Sequence, residues 1–255
     1  MSAVIEFRNV SFAISRERLL LDNISLSLEE GTTTAVLGRS GSGKTTLLRT
    51  VNRMVEPTSG DVFVHGKNLR EGNLIALRRS MGYVIQETGL FPHFTVERNV
   101  GTVLEAEGRP RELRIRRSHE LLEMVGLDPS GFAQRYPHQL SGGQRQRVGL
   151  ARALAAEPRI LLMDEPFGAL DPLTRGEMQD MLRALMNELK KTVLLVTHDL
   201  DEALYLAHRI VLLSNGKLIA NLSPAEFLRS NNPEVEAYVK AFHRGSQCAV
   251  ATEQP

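Results

Sequence analysis

The spacing of hydrophobic and polar positions predicts an ordered series of strands and helices. Near the amino terminus, apolar and polar residues alternate in "VIEFRNVSF" and "LLDNISLSLEEG", a pattern typical of strands in a half-solvated antiparallel sheet. The run "TTTAVLG" is more continuously apolar and predicts a buried strand. From Thr46 onward, the apolar residues fall on one helical face, which predicts a helix soon after that strand.

The remainder of the chain predicts an α/β core interrupted by a helical insertion. "MGYVIQETGLFPHFTVERNV" runs from a strand through a loop with Gly and Pro into a helix capped by Thr95, and the pattern stays mostly helical to Ala156. "RILLMDEP" and "KTVLLVTHD" are unbroken apolar strands of the buried parallel type, and Asn215-Gly216 predicts a hairpin turn. We expect one domain over residues 1–244, with the helical insertion at about 92–157, and a disordered tail over 245–255.

Composition limits the class of protein and its surroundings. The chain has 255 residues, is 42% hydrophobic and carries a formal net charge of +1, so it can bury a core but has no overall field that attracts nucleic acid. The single cysteine, Cys248, excludes an internal disulfide and fits a reducing compartment. The sequence contains no secretory signal and no apolar run near the ~18 residues that span a bilayer. We therefore expect a cytoplasmic protein that can still act at a membrane surface.

The segment "GRSGSGKT" matches the phosphate-binding pattern G-x-x-x-x-G-K-[ST] and lies between a predicted strand and a predicted helix. Its glycines let backbone N–H groups curl around a phosphate, and the helix N-terminus adds partial positive charge. Lys44 can reach the terminal phosphates, whereas Thr45 can offer its hydroxyl to magnesium. The alternative is a glycine-rich turn that matches by chance. The predicted phosphate-binding residues are Gly38, Arg39, Ser40, Gly41, Ser42, Gly43, Lys44, Thr45 and Thr46.

Two further segments carry groups that suit nucleotide hydrolysis. In "ILLMDEP", Asp164 can hold magnesium, and Glu165 would point away from it if strand geometry persists, facing the attacking water as general base. In "LSGGQ", Ser141 and the two following glycines open a helix and form a second potential anion site. The alternatives are a solvated carboxylate at a strand end and an ordinary helix N-cap.

Taken in order, "GRSGSGKT", "LSGGQ", "ILLMDEP", "ALD" and "VTHD" resemble the motifs of the ATP-binding cassette (ABC) ATPases. The resemblance covers roughly Val4 to Arg229. It implies a P-loop NTPase (RecA-like) core with an antiparallel β-subdomain and a helical subdomain, and it implies ATP and Mg²⁺ as ligands.

The resemblance also implies roles by position. Gln86 corresponds to the Q-loop glutamine that contacts magnesium and water, and His198 to the switch histidine at the γ-phosphate. The implied catalytic residues are Glu165, His198 and Gln86, and the implied magnesium contacts are Thr45, Gln86 and Asp164. In the family, two chains pack head to tail, and the "LSGGQ" segment of each chain, called the signature motif, closes the partner's ATP site. The residues implied to act across a dimer of this chain are Ser141, Gly142, Gly143, Gln144 and Asp171.

The adenine contact departs from the family pattern. An aromatic residue usually stacks on the base near the N-terminal strand, but "VSFAI" places Ile14 at that position. Phe12 lies two residues earlier, on the same strand face. We expect Ile14 to pack against adenine, with Phe12 as the alternative.

Within the family, "GYVIQETGLFPHFTVERNV" and "LLMDEPFGALDPLTR" are similar to the ATPases of bacterial osmoprotectant importers, which take up glycine betaine, choline or proline. This implies a peripheral position on the inner face of the cell membrane, a permease that contacts the region of Phe91 and Phe94, and, indirectly, a substrate-binding protein. The alternative for the two phenylalanines is a role in the local core. The chain ends before the regulatory CBS domains that many such ATPases carry, so we expect no sensing through them. Polyamine, amino-acid and sulfonate importers use similar ATPases, so the cargo stays open.

The rival function is a soluble ABC ATPase that acts on DNA or ribosomes. DNA-repair members have a long coiled coil before the signature motif, yet only about 55 residues separate Gln86 from Ser141 here, without sustained heptads. Translation-factor members carry two cassettes in one chain, and this chain has one. The basic runs "RPRELRIRR" and "RQRVGLAR" are interpreted as solvated helix faces. We therefore expect no nucleic-acid partner.

Overall fold

Two β-sheets with flanking helices make up the described part of the chain. The computed structural model describes residues 3–15, 18–86 and 88–251, with side chains described up to residue 242. The strands are β1 (Ala3–Ser15), β2 (Arg18–Glu29), β3 (Thr33–Leu37), β4 (Ser59–Val64), β5 (Lys67–Asn68), β6 (Met81–Val84), β7 (Ile160–Asp164), β8 (Thr192–Val196), β9 (Arg209–Ser214) and β10 (Lys217–Leu222). The mixture of sheets and helices confirms the predicted α/β class.

The helices follow the predicted order along the chain. They are α1 (Lys44–Val51), α2 (Leu74–Arg79), α3 (Val96–Ala106), α4 (Arg111–Met124), α5 (Pro129–Phe132), α6 (Gly142–Leu154), α7 (Pro172–Leu189), α8 (Leu200–Leu206), α9 (Pro224–Leu228) and α10 (Pro233–Ala251). In the described residues, none of these helices combines the length and apolar character needed to cross a bilayer.

The larger sheet brings the ends of the motif-bearing strands to one edge. Its strand order is β10-β9-β3-β8-β7-β6, and every neighbouring pair from β9 to β6 is parallel. All five residues of β3, β7 and β8 are buried, as expected for central strands covered on both faces. Because parallel strands end at the same edge, the loops after β3, β6, β7 and β8 meet there.

Alternate residues of these strands feed two separate cores. Ala35 and Leu37 of β3 face a core shared with the helices between β6 and β7 and with α7 and α8. Val36, between them, faces a second core shared with α1 and the smaller sheet. That smaller sheet is antiparallel, in the order β2-β1-β4-β5, and shows the alternating burial predicted for a half-solvated sheet. The period of two in the sequence thus builds both layers around the central sheet.

Four helices, α3 to α6, lie between β6 and β7. Thr95 caps α3, as its position before the apolar run predicts, because its hydroxyl accepts a hydrogen bond from Arg98 N at 3.3 Å. α3 packs against both α4 and α6, and its residues Val96, Val100 and Leu104 enter the first core.

The carboxyl end of the described chain is helical. The backbone of residues 245–251 continues α10, whereas residues 252–255 lie outside the described residues. The predicted hairpin is formed by β9 and β10, with Asn215 and Gly216 both at positive φ (49° and 78°).

Candidate active site

The loop between β3 and α1 adopts a backbone that only glycine permits at several positions. Gly41 and Gly43 have φ of 77° and 103°. A Cβ on Gly43 would lie 2.3 Å from the Leu20 carbonyl oxygen, whereas a Cβ on Gly41 would meet no atom within 4 Å. The loop is thus pressed against β2 on one side and open on the other, which leaves room for an anion against its backbone.

Lys44, the first residue of α1, folds back over this loop. Its Nζ donates hydrogen bonds to the carbonyl oxygens of Gly38 and Arg39 at 2.9 and 3.1 Å. Burial lowers the pKa of Lys44, and the negative charges of Glu165 and Asp164 oppose that shift. The ammonium group is therefore held by weak neutral acceptors in a buried position, from which it can turn to a phosphate.

A cavity of about 350 Å³ opens over the loop. The residues that line it are Leu20, Ser40, Gly41, Gly43, Lys44, Thr45, Thr46, Glu165 and His198. Ser42 does not line this cavity but a neighbouring one, and its buried hydroxyl has no hydrogen-bond partner among the described residues. The open glycine backbone and the buried cation of the first cavity fit a polyphosphate chain.

Asp164, the last residue of β7, meets Thr45 at the edge of the cavity. The Thr45 hydroxyl donates to Asp164 Oδ1 at 2.8 Å, and the aspartate is only 6% exposed. A carboxylate beside a hydroxyl is a donor set that Mg²⁺ accepts, with water and phosphate oxygens completing the shell. The residues present therefore fit the magnesium ion that the sequence predicts.

Two contacts of Asp164 were missed by sequence reasoning. The Tyr83 hydroxyl lies 3.4 Å from Asp164 Oδ2, and Arg49 Nη2 lies 3.6 Å from the same oxygen. Tyr83 is in β6, which pairs with β7, and Arg49 is in α1. No local signal in the sequence identifies either residue, because the contacts depend on which strand and helix lie beside β7.

Glu165 is placed by a strained backbone and not by continued strand geometry. Its φ is 47°, so the premise that its side chain alternates with Asp164 does not hold. Its N–H donates to the Val196 carbonyl at 2.9 Å, which ties the residue after β7 to the end of the neighbouring strand β8. The carboxylate still reaches the cavity, where Oε2 lies 3.3 Å from Gln86 Nε2 and 3.3 Å from His198 Nδ1. Strain of this kind is typical of functional sites.

His198 lies on the loop that connects β8 to α8. Its side chain is 63% exposed, whereas Thr197 before it is buried and donates to the Glu202 carboxylate at 2.5 Å. Asp199 caps α8 by accepting from the N–H groups of Asp201 and Glu202. The imidazole therefore projects from a firmly held loop.

The signature segment 141–144 and Asp171 lie side by side but away from the Lys44 cavity. Ser141 and Gln144 form a capping box at the start of α6, so the ordinary N-cap interpretation describes the local structure correctly. A Cβ on Gly143 would lie 2.4 Å from Thr174 Cγ2 in the first turn of α7, which Asp171 caps. None of these residues lines the described cavity.

The structure leaves the adenine contact as a prediction. Ile14 is 58% exposed near the end of β1 and is not among the residues that line the cavity. Phe12 packs against the second core, so its ring is engaged there. Leu20, which sequence reasoning did not select, forms the apolar wall of the cavity next to the loop.

The segment around Phe91 is exposed but well anchored. Phe91 is 42% exposed and lies 5.1 Å from the ring of Phe94, over which Arg98 stacks. Arg152 of α6 donates to the carbonyl oxygens of Thr88 and Gly89, both at 2.6 Å. The loop after Gln86 is therefore tied to the same helix that carries the signature segment.

Comparison with known proteins agrees with these motifs. The profile of the ABC transporter family matches residues 21–168, more than half of the chain. OpuCA of Bacillus subtilis (strain 168), described as a glycine betaine/carnitine/choline transport ATP-binding protein, is 45% identical over 94% of this chain. YehX of Escherichia coli (strain K12), a glycine betaine uptake system ATP-binding protein, is 46% identical over 88% of this chain. The chain spans about 62% of the length of OpuCA and 72% of that of YehX.

A solved structure supports the fold at the level of the whole domain. The ATP-binding cassette MJ0796, in a structure described as dimeric and bound to ADP and Pi, superposes with a TM-score of 0.77 at 35% identity. The match covers 86% of this chain and 98% of that one. The predicted resemblance and the predicted fold are both confirmed.

Proposed function

Because this chain belongs to the ABC transporter family, we propose that it is the ATP-hydrolysing subunit of an importer that works through a separate membrane permease. The observation that carries the proposal is the position of the Glu165 carboxylate in the same cavity as the Lys44 loop. The names of the relatives OpuCA and YehX support an osmoprotectant such as glycine betaine or choline as the cargo.

The residues divide the chemistry between them. The glycine loop and Lys44 bind and orient the phosphates of ATP. Thr45, Asp164 and Gln86 would hold Mg²⁺, which when bound neutralises phosphate charge. Glu165 accepts the proton of the attacking water as the bond to the γ-phosphate breaks, giving ADP and phosphate. His198 and Gln86 flank the Glu165 carboxylate and keep it directed into the cavity.

We place a second copy of the chain opposite this cavity. The signature segment 141–144 and Asp171 do not line their own cavity, yet the N-terminus of α6 offers backbone N–H groups at the surface. A head-to-tail dimer would bring these groups to the partner's phosphates. The dimeric cassette MJ0796 supports this arrangement.

The permease contact is proposed at Phe91 and Phe94, on the cytoplasmic face of the membrane. Phe91 exposes its ring beside Pro92, and Arg152 ties the preceding loop to α6. A movement of this surface would therefore be transmitted to Gln86, which precedes the loop, and through Arg152 to α6, which carries the signature segment. An anchored apolar surface suits a partner that must transmit movement.

Substitution of Glu165 by glutamine tests the proposal. Glu165→Gln retains the shape but cannot accept a proton, so we expect ATP turnover to fall by roughly 10²–10⁴ while ATP binding persists. With ATP and magnesium, the variant should elute as a dimer in size-exclusion chromatography. Glu177→Gln is the matched control, because Glu177 of α7 pairs with Arg147 of α6 and does not line the cavity. A wild-type chain that hydrolyses no ATP, or a Glu165→Gln variant within tenfold of wild-type turnover, contradicts the proposal.

A further inference from the structure

The last helix of the chain contacts the loop that carries the switch histidine. The hydroxyl of Tyr238, in α10, donates a hydrogen bond to the main-chain carbonyl oxygen of His198 at 3.1 Å. Burial raises the pKa of the Tyr238 hydroxyl, and hydrogen bonding with the backbone of Gly38 opposes that shift. One hydroxyl group therefore sits between the first glycine of the phosphate loop and the backbone of His198.

The helix that presents Tyr238 is itself firmly placed. Val235, one turn earlier, is fully buried in the first core, and the Tyr238 ring packs against the same core. α10 also makes contacts with α9 and β10. The packing of this helix and of the tyrosine ring therefore holds the hydroxyl group in place.

Other hydrogen bonds hold the residues on either side of His198. Thr197 N donates to the Val36 carbonyl at 3.2 Å, and Asp199 N donates to the Thr197 hydroxyl at 3.1 Å. In the described part of the chain, the bond that His198 receives at its own carbonyl comes from Tyr238. Rotation of this peptide unit would swing the imidazole, because the side chain leaves the backbone at the adjoining Cα.

We propose that Tyr238 is a positioning residue whose hydroxyl fixes the His198 peptide, so that the exposed imidazole stays next to Glu165 and over the phosphate cavity. The inference rests on the proposed ATP hydrolysis. The imidazole Nδ1 lies 3.3 Å from Glu165 Oε2, and a small displacement would separate the two groups. Tyr238 does not line the cavity, and its hydroxyl acts on the site through the His198 peptide.

The test is the substitution Tyr238→Phe in the full chain, with Tyr205→Phe as the matched control. Phenylalanine retains the ring that packs on the core and removes the hydroxyl only. The control removes the hydroxyl of Tyr205 in α8, which bonds Asp180 on the surface, away from the cavity. We expect kcat for ATP hydrolysis to fall about two- to tenfold with Tyr238→Phe, the effect of one lost hydrogen bond. KM for ATP should stay within twofold of wild type. The Tm should fall by no more than roughly 6 °C, the loss expected from one hydrogen bond. Tyr205→Phe should match wild type in kcat and KM.

Hydrogen–deuterium exchange provides a second readout that needs no catalysis. Peptides that cover residues 197–200 should exchange faster in Tyr238→Phe than in wild type, and at the wild-type rate in Tyr205→Phe. An unchanged kcat overturns the inference. So does a kcat loss accompanied by a KM change of the same factor, or by a fall in Tm well beyond roughly 6 °C. A wild-type chain without ATPase activity would refute the proposed function instead. In that case the exchange measurement decides the inference, which is overturned if residues 197–200 exchange at the same rate in Tyr238→Phe and wild type.

Discussion

Asn99 is the side chain through which α3 holds the exposed Phe91 segment. It is fully buried, and its Oδ1 accepts from Phe91 N at 2.7 Å. Its Nδ2 faces three carbonyl oxygens, those of Phe91, Phe94 and Thr95, at 3.0–3.1 Å. Substitution of Asn99 by alanine removes every one of these contacts while leaving the helix backbone intact.

The size of the effect follows from the number of bonds that one amide can make. Nδ2 has two hydrogens, so it can fully bond two of the three carbonyls, and Oδ1 makes a third bond. At about 0.5–1.5 kcal/mol each, with the partly buried Phe91 N–H left without this partner, Asn99→Ala should lower the free energy of unfolding by about 3 kcal/mol. For a chain of this size, that corresponds to a Tm lower by roughly 6–12 °C.

Scanning calorimetry measures the Tm. The rate of limited digestion with chymotrypsin measures how accessible the Phe91 segment is to cleavage. We expect faster cleavage after Leu90 and Phe94 in Asn99→Ala, because the segment loses its attachment to α3. Thr102→Ala on the same helix is the control. Among the described residues, the Thr102 hydroxyl bonds the exposed Arg98 carbonyl at 2.8 Å, and the Tm of this variant should change by less than about 2 °C. An Asn99→Ala variant with the Tm and cleavage rate of wild type would refute this reasoning.

Two further predictions concern charged groups of the site. Lys44→Ala removes a charge-assisted contact worth roughly 1.5–3 kcal/mol, so the affinity for ATP should weaken about 10- to 150-fold. Isothermal titration calorimetry measures this affinity, and a value within threefold of wild type would contradict the role of Lys44. Burial raises the pKa of Glu202 above its ordinary 4.5, so the folded state binds this proton more tightly than the unfolded state. Its stabilising contribution is therefore complete below pH 4.5 and is lost as pH rises through the folded-state pKa. Glu202→Gln should remove this loss, so its Tm relative to wild type should rise from pH 4.5 to pH 8 in thermal scans; a constant difference would count against it.

Local chemistry in the sequence was enough to predict the phosphate loop and several helix ends. The glycines of "GRSGSGKT" permit positive φ angles at little steric cost, and Gly41 and Gly43 adopt them. Thr95 and Ser141 cap their helices because a hydroxyl three residues before a free N–H can bond to it in any fold. The buried strands β3, β7 and β8 were likewise predictable, since unbroken apolar runs need cover on both faces.

The surroundings of the predicted residues depended on tertiary structure. Tyr83 is 81 residues from Asp164 in sequence, and the two meet only because β6 pairs with β7. The direction of Glu165 was not predictable either, because its positive φ arises where β7 ends against the loop after β8.

The sequence by itself was therefore enough to predict which groups bind and cleave a phosphate, since that chemistry resides in residue types and short spacings. Tertiary structure decided which other side chains hold them, as Tyr238 and Arg49 illustrate. The physical reason is that hydrogen bonds and ion pairs act over a few ångströms in space. Separation along the chain does not limit them once strand order and helix packing bring distant segments together.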